Sequence, residues 1–202
     1  MPNNTGFIPE AFALAVAQLR QTTLRHELDF CEIIAPQQLA PHSYAAGAAI
    51  NNSGSGIRGA GAVLDNNVGC GRFALLYDPA QRDIWQGDFK VVCYAQSNIE
   101  VELGTDPLIA DVAWQWLATA LASEHAGHTE IAGTATVTTS TGYGRLASSG
   151  SGSQLQIRAS WTPEPQHMGA HLSAWGQLIC LLAGLDHEAG VASLAAYNKQ
   201  KI

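Results

Sequence analysis

Chemistry in this chain is suggested first by the stretch "WTPEPQHMGAHLSAWGQL", where His167 and His171 stand four residues apart. On a helix that spacing puts two imidazoles one turn apart, as metal-binding helices do. A zinc site needs a third ligand, and the H-E-x-x-H pattern also carries a glutamate between its histidines; here Met168, Gly169 and Ala170 intervene. His125 and His128, at the end of a second expected helix, and Glu124 or Glu164 are the groups that could complete a site. The reading preferred is that these histidines cap helix ends or edge the core, with no metal and no cofactor.

The remaining motifs carry less. "GSGIRGAGAV" is glycine-rich, but it lacks the G-K-[ST] ending and the strand-to-helix setting that wrap backbone N–H groups around phosphate. Serines are plentiful without a G-x-S-x-G elbow. Glu100 and Glu102 would project from one side of a strand, yet nothing in their surroundings signals the burial that shifts a carboxyl group toward acid–base work; Asp83, Asp88 and Asp111 read as solvated charges. Cys31, Cys70, Cys93 and Cys180 are scattered, never as C-x-x-C, and read as buried reduced thiols. No catalytic residue is assigned, and the balance leans against an enzyme.

With 17 acidic and 10 basic side chains the net charge is -7. This sign repels phosphate backbones, and no lysine or arginine block offsets it, so neither nucleic acid nor a membrane surface is an expected partner. The start "MPNNTGFIPEAFALAVAQL" lacks a secretory pattern, and no run approaches the ~18 apolar residues of a spanning helix. The expectation is a cytoplasmic protein. Its 202 residues, 47% hydrophobic, suffice for one domain with a full core.

The elements that would position these groups follow from periodicity. A helix is expected over Glu10–Leu24, a short strand over Leu28–Ile34, and a small-residue strand in "SYAAGAAIN". Flexible loops are expected near 51–69 and 144–153, where Gly, Ser and Asn dominate. Period-two alternation runs from Phe73 through "IWQGDFKVVCYAQSNIEVEL". It gathers Trp85, Gly87, Phe89, Val91, Cys93, Ala95, Ile99, Val101 and Leu103 on one face and leaves Gln86, Asp88, Lys90, Gln96 and Asn98 on the other. So long a strand must bend, and Gly87 and Ser97 are the candidate points.

A second helix opens at Asp106 and Pro107 and closes by Gly127, with Ile109, Val112, Trp116, Leu117, Ala120 and Leu121 as its stripe. Trp114 points away from that stripe and implies a second apolar contact. Two strands follow, the later one alternating Leu155, Ile157, Ala159 and Trp161 with Gln154, Gln156, Arg158 and Ser160, before a last helix over Gln166–Ala183. The fold class is α+β: an antiparallel twisted sheet of five to six strands with two or three helices on one face. This order of elements is similar to secretion-chaperone-like folds.

Two binding modes are open. A protein partner, or a second copy of the chain in a homodimer, would use Trp114, Trp85 and Trp175. Alternatively, a small molecule would sit between the last helix and the sheet against His167, His171 and Arg158.

The stretches "LAPHSY", "LLYDP", "WQGDFKVVCYAQSNIE", "DPLIADVAWQWLATAL", "IRASWTP" and "HLSAWGQLICLLAGL" together resemble the actinobacterial domain-of-unknown-function family 3000. The resemblance covers most of the chain. It implies no activity, cofactor or catalytic residue, so the function expected from the residues stays a non-enzymatic, adaptor-like or chaperone-like binding role.

Overall fold

A computed structural model of the chain describes residues 8–36, 38–51 and 68–185. Most of the loop expected near 51–69, and the tail from 186, lie outside the described residues. The elements run α1 (Glu10–Gln21), β1 (Leu28–Glu32), β2 (His42–Ile50), β3 (Cys70–Tyr77), α2 (Arg82–Trp85), β4 (Phe89–Ile99), α3 (Val101–Gly104), α4 (Ile109–Ser123), β5 (His128–Thr141), β6 (Ser151–Pro163) and α5 (Met168–Leu182). The six strands form one antiparallel sheet in the order β1-β2-β3-β4-β6-β5. The expected α+β class is therefore the observed one, with helices α1, α4 and α5 over one face.

Alternation decides which side chains meet those helices. Phe73 pairs with Cys93, Leu75 with Val91, Ala95 with Ile157 and Val91 with Trp161, and all of these residues are buried. Helix α5 lies across the centre, against α1, α4 and the middle strands. In the fold nearly its whole circumference is buried, from Met168 and His171 to Leu182, as expected of a helix enclosed by neighbours on several sides.

Two close approaches make this layer fit. A Cβ on Gly71 would come 2.5 Å from the Tyr94 carbonyl oxygen and 3.0 Å from the Trp175 ring. The bare backbone there lets the Trp175 indole reach across β3 and donate its N–H to the Tyr94 carbonyl at 3.0 Å. Gly133 does the same for Trp114, whose ring would lie 2.8 Å from an added Cβ. The second contact implied for Trp114 is thus β5 of its own sheet.

The long alternating segment is cut shorter than its pattern suggests. Trp85 ends the helical turn α2, not a strand, and Gln86 closes it in the left-handed conformation at φ 58°. At the far end the chain leaves β4 at Ile99 and coils into α3. Glu100 and Glu102 consequently do not share a strand face. Gly104 is pressed against the Ser153 side chain, so the turn tucks under β6 and delivers the chain to α4. There Asp106 accepts the Leu108 N–H at 3.0 Å, but the helix begins only at Ile109, with Leu108 as its N-cap, so this side chain closes the turn ahead of the helix and is not the N-cap its sequence position suggested. Helix α1 stops at Gln21, short of Leu24, because Thr22 is already extended while its hydroxyl donates back to the Gln18 carbonyl at 2.9 Å. In the expected 144–153 loop, residues Gly144–Ser149 form a tight helical turn and β6 already begins at Ser151. No helix among the described residues is long and apolar enough to cross a membrane.

Candidate ligand site on the open sheet face

Among the described residues the helices cover one face of the sheet, and the other carries a trough of about 900 Å³, within the ~300–1,000 Å³ range of ligand pockets. Register places its floor. One cross-strand row reads Cys31, Gly47, Arg72, Tyr94, Arg158 and Thr134. The row on one side supplies Cys70, Gln96 and Gln156; the row on the other supplies Ala45, Ala74, Val92, Ser160 and Ala132. Ile33, Ile34, Pro36 and Leu39, just after β1, form an apolar wall. Along the strands the trough thus passes from amides, through guanidinium groups, to hydrocarbon.

A hydrogen-bond chain fixes the polar part. Arg158 Nε donates to Gln156 Oε1 at 2.9 Å, and Gln156 Nε2 donates to the Tyr94 hydroxyl at 3.1 Å. Tyr94 in turn donates to Gln96 Oε1, whose Nε2 lies 3.6 Å from the Cys70 sulfur. The Arg158 guanidinium sits 5.6 Å from the centroid of the Tyr94 ring, in the range where ring and cation attract. Burial pushes the Tyr94 phenol up from its ordinary pKa, so it remains a neutral hydroxyl at physiological pH. The main-chain oxygen of the same tyrosine receives the Trp175 N–H from the packed side. The core therefore holds the residue at the middle of the trough.

Like Arg145 in the turn before β6, the two arginines of the trough lack the carboxylate partners that other described arginines have. Arg20 is paired with Glu32 at 2.8 Å, Arg25 with Glu27, and Arg82 with Asp88. Arg72 and Arg158 form no ion pair among the described residues, and both are exposed. On a chain of net charge -7, two unneutralised guanidinium groups bracketing one aromatic ring make a local positive site. They can present parallel N–H donors to a carboxylate or phosphate.

The residues singled out from sequence fall elsewhere, Arg158 excepted. His171 is wholly buried on the helix side, with Nδ1 accepting from Trp161 Nε1 at 3.0 Å. Its Nε2 has no hydrogen-bond partner. Burial, with His128 and then His167 adding like charge, pushes its pKa down to about 4. His167 is exposed in the turn before α5, so the i, i+4 pair is split between solvent and core. Among the described residues no three histidine, cysteine or carboxylate groups converge on a common point. Arg158 lies on the opposite face of the sheet from His171, and these three residues do not form one pocket. The space expected between the last helix and the sheet is filled by Trp161, His171 and Trp175, each with no exposed surface.

Trp175 belongs to that core. Trp85 is half-buried, and its carbonyl accepts from the Thr162 hydroxyl. Trp114 is half-buried on α4 beside β5. Sequence reasoning placed Gln96, Gln156 and Arg158 on a hydrated face but missed Arg72 and Tyr94. The signal was their alternation with buried neighbours, Gly71 and Phe73 around Arg72, Cys93 and Ala95 around Tyr94. Only the register between strands shows that they line up.

Fold and trough together define an α+β protein with one packed and one open sheet face, the open one bearing a cationic, partly apolar recess. By sequence the chain belongs to the family described as "Protein of unknown function (DUF3000)", whose profile matches residues 8–192. No curated protein and no solved structure matches it.

Proposed function

We propose that this protein is a binding module that holds a small organic anion in the open-face trough. The observation that carries this reading is the row Arg72–Tyr94–Arg158, in which two guanidinium groups without carboxylate partners flank a ring whose hydroxyl is already committed to neighbouring amides. Neighbouring strands are ~4.8 Å apart, so the two arginines, two strands removed, start ~10 Å from one another and can close on one carboxylate or phosphate ester between them. The hydrocarbon part of such a ligand would lie on Ala74 and Val92 and against Ile33 and Leu39. Among the described residues the trough is lined by neither carboxylate nor imidazole, which favours holding over turnover. A cytoplasmic setting fits Cys31, Cys70, Cys93 and Cys180, which form no disulfides with one another.

Native mass spectrometry of the purified protein, followed by thermal-shift titration with aliphatic and aromatic carboxylates and phosphate esters, tests the reading. At least one class should bind, and Arg72→Ala and Arg158→Ala should each weaken it about tenfold or more, as expected for loss of a charge-assisted hydrogen bond. Binding that survives both substitutions together, or no binding across the panel with nothing co-purified, would overturn it.

A further inference from the structure

The two edges of the sheet are built differently. Strand β1 is five residues long, carries Asp29 and Glu32, and has Glu32 tied to Arg20. A short charged edge resists the addition of another strand. Strand β5 has fourteen residues, pairs only with β6 among the described residues, and is half or fully exposed along its whole length. From Ala132 to Thr141 it reads "AGTATVTTST", with no charge and no proline. None of the usual edge protections is present there.

Protection does appear immediately before that segment. The register with β6 slips between Thr129 and Ala132, and Glu130 stands in the left-handed region at φ 51°. The irregularity bends the first residues of β5 out of the line of the edge, which marks Ala132 as the start of a regular strand ten residues long, ~34 Å at the antiparallel rise.

We propose that β5 is the surface through which two copies of this chain associate, edge to edge and antiparallel, about a two-fold axis at Thr136. Such pairing sets Thr136 opposite its own copy, Thr134 opposite Thr138, Ala135 opposite Val137 and Ala132 opposite Ser140. Threonine faces threonine at the centre of the open side and Ala135 faces Val137 on the helix side, the kinds of cross-strand pair that stabilise a ladder, while Gly133 meets Thr139 towards each end. The occupant is a second copy because the edge is its own complement. Every position in this register meets an uncharged partner, and the net charge of -7 is not concentrated on the contact. Trp114, half-buried over Gly133 beside the same edge, would lose more of its exposed surface in the pair. A contact ~34 Å long and roughly one strand layer, ~10 Å, deep lies below the ~1,200 Å² of standard interfaces, so the dimer is reversible. The inference stands apart from the anion reading and needs no ligand.

Sedimentation or light scattering over a concentration series tests it. The wild-type mass should rise from 21.3 kDa toward twice that value. Thr136→Lys, which places two ammonium groups face to face at the axis, should weaken association at least tenfold while leaving the melting temperature of the monomer unchanged. Amides of 132–141 should gain hydrogen-exchange protection with concentration. A wild type that stays monomeric to several hundred micromolar, a Thr136→Lys variant that associates like the wild type, or concentration-dependent protection confined to another element would each overturn the proposal.

Discussion

The two faces of the sheet use aromatic side chains to opposite ends. On the helix side Trp161 and Trp175 are wholly enclosed, and each indole N–H is spent inside the fold, on His171 and on the Tyr94 carbonyl. On the open side Tyr94 is held between two arginines, its ring face and hydroxyl engaged by side chains that also reach solvent. Residues one apart on the same strand therefore belong to different problems. Cys93 and Ala95 close the core, burial lifting the Cys93 thiol to about 12, while Tyr94 between them serves the trough. Stability and recognition are thereby separated to alternate residues.

That separation breaks most readily where the core is emptied. Trp175→Ala removes a fully buried indole and strands the space over Gly71, and should cost about 3–5 kcal/mol in urea unfolding. A loss below ~1 kcal/mol would show that α5 does not seal the packed face. Next comes acid. The folded pKa of His171 is depressed to about 4 from an unfolded value near ~6.5. Between those values the unfolded chain binds the extra proton, so stability should be full above pH ~7 and fall as pH drops toward 4, by up to roughly 3 kcal/mol. Unfolding free energies across that interval that do not change would mean His171 reaches water.

Gly71→Val tests the close approach itself. Its side chain would collide with the Tyr94 carbonyl and displace the Trp175 ring, at an expected ~1–3 kcal/mol. Because it pushes on Tyr94 from behind, it should also weaken any ligand in the trough. The smallest stability effect is expected on the open face, where Arg72→Ala should stay within about 0.5 kcal/mol of wild type while anion affinity falls. Equal stability losses from Arg72→Ala and Gly71→Val would erase the distinction between the faces.

Much of the packed face was legible from alternation, since Phe89, Val91, Cys93, Ala95 and Ile99 on β4 and Leu155, Ile157 and Trp161 on β6 do point to the core. The pattern failed where a strand period continued by chance into helical turns, at Trp85 and at Val101 to Leu103. There the deciding facts were a left-handed residue and the tight fit of Gly104 on Ser153, which periodicity does not encode. The candidate site was harder to read. Alternation assigns a residue to one side of its strand but not to a neighbour on the next strand, so Arg158 could be set beside His171 although a sheet lies between them. The row with Arg72 depends on the register of β3, β4 and β6, which only three-dimensional packing determines.

The hydrogen bond from Trp161 to His171 carries a further implication. A neutral imidazole has one bare nitrogen, and here it is the one that accepts the indole. An incoming proton must settle on that same atom, so ionisation and retention of the bond are mutually exclusive. Acid loosening of this region should therefore announce itself in the emission of a single interior chromophore, ahead of any change in backbone signal.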